Sequence, residues 1–417
     1  MNNMFFKFIY LSLARVYSTG IGLLLIIFSS EMLGLDARGK IAIAITWMTA
    51  FFTFLHLSIG QLGYKIVIDD RKRTSEIIGY FIAYDISVTS VLALVLPVVY
   101  HFFIPWTKIT LPEFYFSLTL VPIMMFEQQM LTLFLAFNDT GKLNLISILN
   151  RTGNFVITLG LLFLFPGYYT FIFCLFVLSF SMSLSYFLFV YNNERCYFVA
   201  REFKKLIKRG AGFHFFNAFG YIGYSILPLL ILPKYVSSEQ FALYEIGFRF
   251  ISLIMIIATA CQLLAMRVFS REDNIIKGWK LYLRIVFIYF TISYIVVVFF
   301  YLLYPILFDF TYVIKYRLSL SIFRELLPYV PFIGTTVFLP TLFVHFNLLN
   351  LSALYNFTLG IFCFILIFSL AKTFGVTGVL ISLKIIYSLS ALLFTFIIWV
   401  VYTKKIKGVH LNDNKKL

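Results

Sequence analysis

Apolar runs of 18 residues or more recur from one end of this chain to the other, and no other feature narrows its fold so far. A run of that length crosses the roughly 30 Å hydrocarbon core of a bilayer as a helix. A helix satisfies its own backbone groups in lipid; an open strand does not. A closed barrel would need apolar and polar residues to alternate, and these runs do not alternate. The runs at 8–30, 40–64, 77–101, 114–137, 144–165, 169–190, 213–232, 240–266, 281–305, 325–346, 353–371 and 377–402 predict about twelve transmembrane helices. Only 12% of the 417 residues are charged, too few to cover a soluble protein of this size. The first run is long, carries Arg15 and lacks a small-residue cleavage site, so it reads as a first span and not as a signal peptide.

The net charge of +16 would suggest nucleic acid in a soluble chain. Here the bases sit between the apolar runs, and the positive-inside rule explains them without nucleic acid. One set of loops and tails holds 22 of the 34 basic residues, among them Arg71, Lys72, Arg73, Lys204, Lys205, Lys208 and Lys404. The opposite loops hold eight: Arg38, Lys40, Lys108, Lys234, Lys315, Arg317, Arg324 and Lys372. This bias places both termini in the cytoplasm of a multi-pass inner-membrane protein. Reporter fusions at Lys208 and Lys416 are therefore expected to read cytoplasmic, and one at Ser237 to read periplasmic; the opposite pattern overturns the span map. The four cysteines form no CxxC pair, and no phosphate-binding loop, zinc-hydrolase motif or nucleophile elbow is present. No metal, catalytic residue or cofactor is expected, beyond a coupling H⁺ or Na⁺.

The two halves resemble each other. Leu33-Gly-Leu-Asp-Ala-Arg-Gly-Lys40 leads into a helix ending at Gln61-Leu-Gly-Tyr-Lys65. Leu232-Pro-Lys-Tyr-Val-Ser-Ser-Glu-Gln240 leads into one reaching Gln262-Leu-Leu-Ala-Met-Arg267. The expected architecture is all-α, with two parallel-repeat six-helix bundles, 1–200 and 201–417, joined by a basic cytoplasmic linker at 191–212. A substrate path then lies between the bundles.

The loop Leu33-Gly34-Leu35-Asp36-Ala37-Arg38-Gly39, with its echo at 232–267, resembles the polysaccharide-biosynthesis flippases of the Wzx type, which handle O-antigen and related repeat units. These share an exporter superfamily with multidrug extruders and peptidoglycan-precursor flippases. The resemblance covers the whole chain in span count and repeat. It implies two bundles forming a V with alternating access. It also implies an undecaprenyl-diphosphate-linked oligosaccharide as cargo, membrane lipids as surroundings, and a polysaccharide polymerase and chain-length regulator as partners.

An ionisable group inside a span costs several kcal/mol unless it meets a cavity or a partner. Arg15, Arg151, Arg249 and Lys384 could line a cavity, and a diphosphate suits them, the planar guanidinium fork above all. Arg15 and Arg249 occupy places similar to the cavity arginines of those flippases. Each base also has a second reading. Arg15 and Lys384 can snorkel to the cytoplasmic face, and Arg249 can neutralise Glu245 one turn earlier. The acids Asp85, Glu127 and Glu245 are candidates for coupling or sugar contact, with Gln128 in the belt Glu127-Gln128-Gln129. Asp85 reads equally as a headgroup-level charge. Two alternatives remain beside the flippase: a cation-coupled small-molecule exporter of the same fold, and a membrane-embedded polysaccharide enzyme. The short external loops, of which 306–324 is the longest, disfavour a polymerase.

Overall fold

The computed structural model describes residues 2–57, 59–137, 140–191, 203–205, 207–208, 218, 222–271, 275–309, 315–336, 338, 342–343 and 349–403. Every regular element among them is helical. The chain segregates into two compact units, Met1–Leu243 and Tyr244–Leu417. Of the expected linker 191–212, residues 192–202, 206 and 209–212 lie outside the described residues, so the expected division at residue 200 does too.

The first unit holds α1 (Asn2–Leu33), α2 (Leu35–Leu55), α3 (Ile59–Asp69), α4 (Thr74–Thr107), α5 (Leu111–Leu118), α6 (Leu120–Ala136), α7 (Thr140–Leu164) and α8 (Tyr168–Val190). The short α9 (Leu227–Ile231) follows, and α10 (Ser238–Arg271) begins in this unit and continues into the second. There α11 (Ile275–Asp309), α12 (Arg317–Leu326), α13 (Val330–Ile333) and α14 (Leu349–Val401) complete the chain. Among the described residues seven helices are long and apolar enough to cross a membrane, or nine if two bent pairs each count as one span. This is a multi-pass, all-α membrane protein.

Helix ends follow local chemistry. Glu113 accepts from both the backbone N–H and the hydroxyl of Thr110, at 2.7 and 2.8 Å, which fixes the start of α5. Asp70 accepts from the Lys72 N–H at 3.1 Å and turns the chain between α3 and α4. The expected second span is α2 plus α3, bent by 48°. The break falls at His56 and Leu57, where Leu57 takes φ 44°, a left-handed value that is costly without glycine. Five residues of π-helix, Ile222–Ile226, precede Pro228 in the seventh expected span, 213–232, of which residues 213–217 and 219–221 lie outside the described residues.

The last two expected spans, 353–371 and 377–402, are the two arms of α14, joined across a kink. Gly375 has φ 56° and ψ −127°, outside helical space. Gly378 approaches the Leu370 backbone so closely that a Cβ would overlap the carbonyl and lie 3.0 Å from the Ala371 nitrogen. Eight residues of straight helix would separate those atoms by about 12 Å. The chain therefore doubles back at Gly375 and crosses as two spans.

Packing runs inside out compared with a soluble protein. Leu94, Phe163, Phe287 and Leu302 are more than two-thirds exposed along helix faces suited to lipid. The buried faces of the first unit carry Phe81, Phe114, Met125, Met130, Phe134 and Tyr186. Lipid offers these side chains an equally apolar home, so close packing and interhelical hydrogen bonds hold the helices together.

Candidate functional site

A polar seam runs through the first unit. On α6, half-buried Glu127 hydrogen-bonds the Ser179 hydroxyl of α8 and lies within electrostatic reach of Arg151 on α7. Tyr186, buried on α8, feels both charges. The seam continues along α7. The Ser181 hydroxyl donates to Asn150 Oδ1 at 2.7 Å, Thr152 pairs with Tyr17 of α1 at 2.7 Å, and Ser147 with Ser18 at 3.4 Å. Asn154 Nδ2 donates to the Cys174 carbonyl at 2.8 Å, deep between α7 and α8. These bonds set the rotation of α7 so that Arg151 shares a neighbourhood with Glu127 and not with lipid.

A second polar pair lies one layer away. Asp85 on α4 is buried, and Gln129 Nε2 donates to its Oδ1 at 3.0 Å. Asp85 is thus an interior carboxylate, buried among helices. Gln128, the neighbouring member of the belt, is exposed.

In the second unit, Arg249 Nε donates to Glu245 Oε1 at 2.6 Å. The Glu245 side chain is 4% exposed and that of Arg249 43%, so the acid is sunk in the helix packing and the base is the more exposed partner. Gly247, between them, packs on Ile322 of α12, and Phe250 meets Phe323 at 5.6 Å, which fixes this turn of α10. Lys384 Nζ donates to Glu325 Oε2 at 2.7 Å, a partner the sequence spacing of 59 residues conceals. A shallow apolar groove of about 540 Å³, lined by Val286, Phe290, Phe332, Ser388 and Leu392, holds none of the predicted residues. Arg15 lies in α1, and its side chain is outside the described residues.

One buried base was assigned to a loop by the sequence. Arg38 belongs to the first turn of α2, is fully buried, and places its guanidinium 5.6 Å from the Phe171 ring centre. Its neighbour Gly39 packs directly on the Ser238 backbone. The two loops matched by the internal repeat, 33–40 and 232–240, thus touch. Lys108 adds a bond to the Val236 carbonyl beside them.

No protein-family model and no curated protein matches the chain. Solved structures do. A MOP superfamily transporter from Pyrococcus furiosus superposes with a TM-score of 0.68 at 16% identity, over 95% of each chain. An outward-facing multidrug resistance transporter of the MATE family gives 0.67 at 15%, over 96% of this chain and 97% of that one. The lipid II flippase MurJ, in an inward closed conformation, gives 0.73 at 13%, over 93% of this chain and 87% of its own. The chain has the MOP transporter fold. At these identities the likeness is one of fold, and the MOP fold is shared by exporters and flippases alike.

Proposed function

We propose that the protein is a flippase that moves an undecaprenyl-diphosphate-linked oligosaccharide from the cytoplasmic leaflet to the outer leaflet of the bacterial plasma membrane, with both termini cytoplasmic. The observation that carries the reading is the way bases are held inside apolar spans. Arg249 pairs with the buried acid Glu245 on an apolar helix, its own side chain 43% exposed. Arg151 lies within electrostatic reach of Glu127 beside a hydroxyl-rich seam. A guanidinium inside a span, its charge balanced by a nearby acid, suits a diphosphate. Arg15, Arg151, Arg249 and Lys384 are assigned to the diphosphate, and Glu127, Gln128, Asp85 and Glu245 to sugar contact or to a coupling H⁺ or Na⁺. An exposed tyrosine such as Tyr17 suits a sugar face. Bundles 1–200 and 201–417 would alternate about the bound cargo, with a polymerase and a chain-length regulator receiving it. The MurJ likeness supports a lipid-linked cargo without naming it.

The test is deletion of the gene in its native cell. Lipid-linked repeat units are expected to accumulate on the cytoplasmic leaflet, where a membrane-impermeant glycosidase outside the cell does not reach them. Unchanged amounts, equally open to the glycosidase, sink the reading. A cation-coupled exporter is the second reading, favoured by the two buried carboxylates Asp85 and Glu245. It forecasts unchanged lipid-linked units and raised sensitivity to small toxic molecules.

A further inference from the structure

The pair Asp85 and Gln129 is incomplete in a specific way. Gln129 Nε2 donates to Asp85 Oδ1, and that leaves two buried acceptors, Asp85 Oδ2 and Gln129 Oε1, that receive no hydrogen bond from any described residue. Both side chains are more than nine-tenths buried. Among the described residues no cation pairs with Asp85. Buried polar atoms are nearly always satisfied, and a buried bare carboxylate is costlier still. One added proton answers both deficits. A neutral acid carries one O–H donor. Placed on Oδ2, it supplies a donor to a pair that has two acceptors and none to spare, and the Gln129 amide oxygen belongs to the same amide whose nitrogen already binds Oδ1. Acid and amide then close a reciprocal ring, and every polar atom of the pair has a partner.

We propose that Asp85 is a proton-binding site, held as the neutral acid in this conformation by a reciprocal acid–amide ring with Gln129. Its surroundings are apolar or uncharged. Tyr84, the next residue on α4, is the titratable group within electrostatic reach. On α6, Glu127 faces Ser179 instead. From α3, Gly60 lies against the Gln129 backbone. His56, at the end of α2, stacks its ring on Phe52 and sets Nδ1 3.4 Å from the Thr53 carbonyl. The site also sits beside the break in the second span. The Tyr84 hydroxyl donates to the Leu55 carbonyl, a group freed where the helix ends. Loss of the proton leaves two buried acceptors without a donor at the α4–α6 contact, on the helix that also holds the Leu55 carbonyl. The proton is thereby tied to the one broken helix of the first unit whose freed carbonyl α4 holds.

Infrared difference spectroscopy on the purified full chain in liposomes reads the site directly. At neutral pH the wild type is expected to show the C=O stretch of a hydrogen-bonded carboxylic acid that Asp85→Asn loses. Gln129→Leu keeps the acid and removes its amide, so the same band should shift to higher frequency. This second variant decides the matter even if Asp85→Asn fails to fold. A spectrum in which neither variant alters a carboxylic-acid band overturns the proposal. So does a band that moves with added sodium at constant pH, which would make the ligand a metal cation. No cargo enters the experiment, so its outcome is independent of the flippase reading.

Discussion

Gly39→Val is expected to cost this protein its folded state or most of it, whereas Gly20→Val should be tolerated. The reason is local. A Cβ on Gly39 would overlap the Ser238 carbonyl oxygen and lie 2.6 Å from its carbon and 3.0 Å from its Cα. All three are backbone atoms, so no rotamer change relieves the clash. Overpacking in a tight interior costs about 1–3 kcal/mol, and more when backbone must move. A Cβ on Gly20 meets nothing within 4 Å. The yield of monodisperse protein and its thermal midpoint in detergent would measure the difference. Equal midpoints for the two variants would show that the loops at 33–40 and 232–240 part freely. The prediction also gives a physical reason for the last glycine of the Leu-Gly-x-x-x-Arg-Gly loop: it is the point where the two repeated loops meet.

The second large effect concerns Arg249. If the side chain only balances Glu245, replacing both by alanine should restore whatever Arg249→Ala loses. If it holds a diphosphate, Glu245 merely orients the guanidinium, and the double variant stays inactive. The exposures favour the second outcome, because the Glu245 side chain is 4% exposed and that of Arg249 43%. Arg249→Lys separates the two further. Lysine keeps the charge but loses the planar fork. Loss of one charge-assisted hydrogen bond is worth about 1.5–3 kcal/mol, so transport should fall by about tenfold or more. A simple ion pair would survive the change. Translocation of a lipid-linked oligosaccharide by the reconstituted variants supplies the measurement, with protein level as the control. Full activity in Arg249→Ala and Arg15→Ala together would end the cavity-cation mechanism.

Much of the architecture is legible in the sequence because the bilayer simplifies the code. Hydrocarbon demands helices, and the expected runs fall on α1, α4, α5 with α6, α7, α8, α10, α11 and α14. The breaks are less legible. Leu57 adopts a left-handed conformation with no glycine or proline at that position to announce it; the Tyr84 hydroxyl binds the Leu55 carbonyl two residues earlier. The intramembrane charges could be picked out one by one, since each is rare and costly. Their partners could be read only where the spacing is local, as for Glu245 and Arg249. Glu127 with Arg151, Asp85 with Gln129 and Lys384 with Glu325 each join residues 24 or more positions apart on different helices. Arg38 shows the opposite failure. A base beside a glycine in a polar stretch reads as loop, and only the Phe171 ring above it reveals a buried one.

The doubling-back at Gly375 bears on how the chain enters its membrane. With Leu370 and Gly378 in backbone contact, the turn has no slack to carry a polar loop, and Lys372 is the one charged side chain it brings. A hairpin this tight can enter lipid as one unit, with Lys372 as the single charge carried in its turn.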